Sequence, residues 1–80
     1  MDDDTRKEQL RSVAEELLQG KSLKEVLVNI EAGNIRIAQA YLFGHIMTAF
    51  RSEELDAAKA EELTNKLGLS NQEKLEILHV

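Results

Sequence analysis

The sequence predicts an all-α fold, a compact bundle of about five short helices around a central apolar helix at residues 35–51, making one helical domain of residues 1–80. Three observations carry this. Apolar residues recur at helical spacing, capping residues precede each apolar period, and the chain has no Pro and four Gly, three of which stand where a period ends. No segment alternates as a strand would.

In the first helix, at about 5–19, Leu10, Val13, Ala14, Leu17 and Leu18 form one stripe, and Thr5 with Glu8 has the spacing of a capping box. The following Gly20, Lys21 and Ser22 are no phosphate-binding loop, because such a loop needs a Gly five positions before Gly20 and position 15 is Glu. Gly20 is expected to close helix 1, and Ser22 to open helix 2 with Glu25 as its partner. Helix 2, about 23–32, presents Leu23, Val26, Leu27 and Ile30 and stops at Gly33.

The stretch GNIRIAQAYLFGHIMTAF, residues 33–50, holds both Phe, the only Tyr and one of two Met. With Asn34 as N-cap, Ile35, Ala38, Leu42, Phe43, Ile46, Ala49 and Phe50 gather into a core-facing sector. Ile37, Tyr41, Gly44 and Met47 lie on the far side, so the helix is apolar nearly all round. Gly inside a helix costs about 0.5–1 kcal/mol relative to Ala, which implies a packing reason for Gly44. Ala40, Gly44 and Thr48 repeat at i+4 and would let another helix approach closely. Either a later helix of the same chain covers that face or another molecule does.

Helix 4 is expected to begin at Ser52 as N-cap and to end before Gly68. Its large apolar residues are Leu55, Leu63 and Leu67 alone. Ser70 and Glu73 form a further capping box for a short helix bearing Leu75, Ile77, Leu78 and Val80. The segment AEELTNKLGLSNQEKLEIL, residues 60–78, resembles the helix-turn-helix of bacterial DNA-binding proteins, in which a Leu-Gly-Leu-Ser turn joins a support helix to a recognition helix. It departs from that pattern at Thr64, where a small residue is usual, and at Lys74, where an aliphatic one is. Glu73 and Glu76 would also oppose phosphate. The resemblance covers 19 of 80 residues and brings no site residues with it.

Ten Lys and Arg against fifteen Asp and Glu give a net charge of −5, which disfavours nucleic acid as a partner. Without Cys there are no disulfides, thiolate metal sites or thiol nucleophiles. No apolar run approaches the roughly 18 residues of a membrane span, and the polar start MDDDTRKEQ is unlike a signal peptide, so a cytoplasmic location is expected. His45 and His79 stand in no metal-binding spacing, and no nucleophile elbow is present, so neither enzyme activity, nor a cofactor, nor a metal is expected. The pairs Glu15–Glu16, Glu53–Glu54 and Glu61–Glu62 read as solvated helix faces.

These readings converge on a non-catalytic protein-interaction module, a small regulator, adaptor or inhibitor of bacterial or phage style. Its expected partner is another protein, most simply a second copy in a homodimer, met through Ile37, Tyr41, Gly44 and Met47. The alternatives are a helix-turn-helix regulator and an acidic mimic of nucleic acid that occupies the basic groove of a nucleic-acid enzyme.

Overall fold

A computed structural model describes residues 3–78, and for Asp3 the backbone alone. Five helices follow one another: α1 (Asp3–Leu17), α2 (Gly20–Glu31), α3 (Ile35–Arg51), α4 (Ala57–Lys66) and α5 (Asn71–Leu78). No strand occurs among the described residues. The radius of gyration, 11.8 Å, matches the roughly 12 Å of a compact 80-residue globule.

The three N-terminal helices pack on one another pairwise, and α4 packs on α3 and α1. Leu10, Val13, Ala14 and Leu18 from the first helical segment meet Val26 and Ile30 of α2 and the buried stripe of α3. Leu63 and Leu67, both without exposed surface, bring the C-terminal half of α4 onto the same core. The central helix therefore has the expected bounds and the expected neighbours on its main face.

The turns explain where the elements stop. Gly33 has φ +86°, its N–H bonds to Ile30 O and that of Asn34 to Asn29 O, which closes α2 as a Schellman motif. Gly68, at φ +75°, follows α4, and its N–H bonds to Asn65 O at 3.4 Å. Ser70 and Glu73 form the expected capping box, with Ser70 N–H donating to Glu73 Oε1 at 2.9 Å and Glu73 N–H to Ser70 Oγ at 3.1 Å.

Other boundaries correct the sequence reading. The first helix is already formed at Asp3, so Thr5 lies within it and is not its N-cap. The second begins at Gly20 (φ +63°), where the chain turns, and Ser22 is inside it; the preceding Gln19 makes no side-chain cap. Asn34 holds the N-cap position of α3, but its amide donates to Asn29 Oδ1 instead of capping.

Ser52 ends α3 and does not start α4. Its hydroxyl bonds back to Thr48 O at 2.9 Å, and Glu53, at φ +64°, takes the left-handed position usually given to Gly. The N–H groups of Glu53 and Glu54 then bond to Phe50 O and Ala49 O, another Schellman closure. A five-residue turn, 52–56, leads to Asp56, whose Oδ1 accepts Lys59 N–H at 2.8 Å as the true N-cap. Lys59 also pairs with Glu16 of α1 at 2.6 Å and with Glu62 at 3.1 Å. The hydrogen bond from Lys59 holds the Glu16 carboxyl below its ordinary range.

Two side chains of α3 depart from expectation in opposite senses. Phe50, placed in the core sector by periodicity, is 41% exposed, because Ala57 and Ala60 of α4 are too short to cover it. Gln39, a polar residue, is 3% exposed and donates from Nε2 to Leu67 O at 2.8 Å. That bond satisfies a carbonyl at the end of α4 and so fixes α4 against the central helix.

Two substitutions test this packing. Replacing Leu42, which has no exposed surface, by Ala is expected to cost about 2–5 kcal/mol in urea unfolding, the usual loss for a buried Leu. Gln39→Leu strips Leu67 O of its side-chain donor, and is expected to cost about 1–3 kcal/mol with far-UV circular dichroism still helical.

Candidate functional site

The exposed side of α3 is decided by what its neighbours can reach. At about 100° per residue the buried and half-buried residues together take a little over half of the circumference, leaving a strip through Ile37, Tyr41, Gly44 and Thr48. Ile37 is 58% exposed and Tyr41 46%. Both are large apolar surfaces in water.

The structure separates the four residues that the sequence grouped. Ile37 and Tyr41 line a shallow cleft between α2 and α3 with Glu25, Val26, Asn29 and Ala38. Gly44 lies one turn further along on the same strip and is exposed. A Cβ built on Gly44 meets nothing within 4 Å. The packing reason that the sequence implied for this glycine therefore has no counterpart among the described residues. Met47 parts from the other three: it is half-buried, packs on the core, and lines a groove against α4.

The sequence reading missed Val28. It is 67% exposed, the most exposed large apolar residue described, and lines a depression with Lys24, Glu25 and Asn29 that adjoins the cleft through the last two. The signal was available, because Val28 falls off the Val26–Ile30 stripe and has no core to face. Glu25 and Asn29, which line both depressions, stand between Val28 and the pair Ile37 and Tyr41.

The α2–α3 cleft holds about 70 Å³, far short of the roughly 300–1,000 Å³ of small-molecule pockets. A second groove, of about 300 Å³, has Phe43, Met47 and Phe50 on its floor and Glu61 and Lys74 on its rim. It is open and mostly apolar.

Among the described residues no three His, Cys, Asp or Glu are placed to hold a metal ion. His45 is half-buried inside α3, while His79 lies outside the described residues, as do Asp2 and Val80. The paired glutamates 15–16, 53–54 and 61–62 are exposed. No helix among the described residues is long and apolar enough to cross a membrane.

The α4–turn–α5 segment is helical on both sides of Gly68. Unlike α4, α5 buries no residue fully: Leu75 and Leu78 are about half exposed, and Ile77 alone of its apolar residues packs on the core. Glu73 forms an ion pair with Arg36 of α3. Its carboxyl is held below the usual range by the Ser70 N–H first, then by the Ser70 hydroxyl and the Arg36 charge. No family model matches this chain, and neither does any curated protein or solved structure.

Proposed function

We propose that the chain is a non-catalytic protein-interaction module of the cytoplasm, a small regulator, adaptor or inhibitor, that binds through the exposed strip of α3, with a second copy of itself as its simplest partner. The observation that carries this reading is the pairing of exposed Ile37 and Tyr41 with a mid-helix glycine that nothing approaches. A helix interior tolerates Gly at a cost, and close approach of a second backbone is the most direct compensation.

The neighbouring surface fits the same reading. Glu25 and Asn29 border the Ile37–Tyr41 cleft, and beyond them Val28 and Lys24 offer a further apolar contact and a positive charge. A two-fold axis needs only one self-complementary patch, and can set Lys24 of one copy against Glu25 of the other. Specific interfaces bury about 800 Å² per partner, so the polar rim must take part as well as the apolar centre.

Sedimentation over a micromolar concentration series is the test. The unmodified chain is expected to be dimeric at high micromolar concentration, and Tyr41→Glu to give a folded monomer, since half of Tyr41 is already in solvent. Gly44→Ala sharpens the result. With open space around it, the added methyl is expected to stabilise the monomer by about 0.5–1 kcal/mol while weakening association, because it stands between the two helices. A chain that stays monomeric throughout would sink the self-association reading and move the search to the acidic outer faces.

The rival reading, a helix-turn-helix regulator, draws on the left-handed Gly68 between two formed helices. Against it stand Glu73 and Glu76 on the helix that would enter the groove. Titration with duplex DNA is expected to show no specific site. A complex tighter than about 10⁻⁸ M at physiological salt would overturn that expectation.

A further inference from the structure

Among the described residues every buried apolar side chain lies between Leu10 and Leu67, so α5 as described adds none to the core. What holds α5 in place is local: Ile77 and Leu69 packed partly on the core, the Ser70–Glu73 capping box, and the Arg36–Glu73 ion pair. One residue, Glu73, takes part in both polar attachments. Its carboxylate accepts the first orphan N–H of the helix and reaches across to α3. An eight-residue helix has no stability of its own in water, so α5 exists only while it is attached.

Its position gives that attachment a consequence. With Glu76 and Ile77 it borders Arg36 and Ala40 of α3, and with Lys74 it closes one side of the Phe43–Met47–Phe50 groove. Ala40 stands one turn before Gly44, next to the strip that carries Ile37 and Tyr41. We propose that α5 is a separately opening strap, latched by Glu73, that covers one flank of α3 and limits how much of the helix a partner can reach. Opening adds Ala40, the stem of Arg36 and the side of Met47 to the exposed strip. The latch itself needs no partner, whereas the restriction it imposes rests on the self-association reading above.

Native-state amide hydrogen exchange on the full chain tests the latch. The amides of Leu75 to Leu78 are expected to exchange about 100-fold faster than those of Leu42, Phe43 and Ile46, through an opening that leaves the core intact. Glu73→Ala removes both polar attachments while keeping a good helix former, and is expected to speed exchange in α5 about tenfold and leave α3 unchanged. Ser70→Ala, which removes one reciprocal bond, should act in the same direction and more weakly. Equal rates in α5 and α3, or a Glu73→Ala effect spread evenly over all helices, would overturn the strap. So would an α5 that exchanges fast but is indifferent to Glu73, since that is fraying without a latch.

Sedimentation of the same variant separates the two layers of the argument. Tighter self-association of Glu73→Ala than of the unmodified chain supports the restriction. Unchanged association, in a chain that does dimerise and whose α5 has been loosened, overturns it. If neither form associates, self-association as the function fails while the latch, measured by exchange, stands.

Discussion

The fold depends on one long helix being surrounded by too little chain. The seventeen residues of α3 carry apolar groups on nearly every side, and an 80-residue protein buries only about 60–65% of the surface its unfolded form exposes. Three helices can be set firmly against α3, on its main face and one flank. The remaining strip receives α5, which brings one packed apolar side chain, and otherwise water. Most other features follow from that shortage, including the exposed Ile37 and Tyr41, the uncovered Phe50 and the light attachment of α5.

Where apolar supply runs short, polar groups do the positioning. Gln39 occupies a place on the buried stripe that an aliphatic residue would fill more simply, and uses it to hold the last turn of α4 through Leu67 O. A buried amide with a partner is tolerated, and one without it costs about 1–3 kcal/mol, so the bond also fixes the register of α4 on α3. Lys59 does related work from outside, joining α4 to Glu16 of α1, although an exposed pair of this kind adds little stability. Glu73 repeats the device at the edge of the fold.

The helical class, the extent of α3, its core face and the Ser70–Glu73 box were legible in the sequence, because each rests on spacing within one helix. What could not be read depends on contacts between helices or on competition between caps. Ser52 has the composition of an N-cap, yet it closes the preceding helix, since Glu53 accepts the left-handed conformation and Asp56 offers a better start. Met47 and Tyr41 stand about 120° apart, at opposite edges of the far sector, and α4 packs beside the first but not the second. Gln39 could have been noticed as the one polar residue on the stripe. Its acceptor, 28 residues away, could not have been named.

A thinly covered central helix ties stability to binding. Any partner that covers Ile37, Tyr41 and the space around Gly44 removes apolar surface from water, and because it binds only the folded chain it also stabilises the fold by mass action. The same surface is a liability when uncovered, since exposed apolar patches invite unselective association. A strap that keeps part of α3 covered would limit that hazard without using much of the binding energy, because it is short, largely solvent-exposed and held by few contacts. On this reading the weak attachment of α5 is set by its task. A fifth helix packed as firmly as α1 would stabilise the monomer, but it would also close the flank of α3 for good.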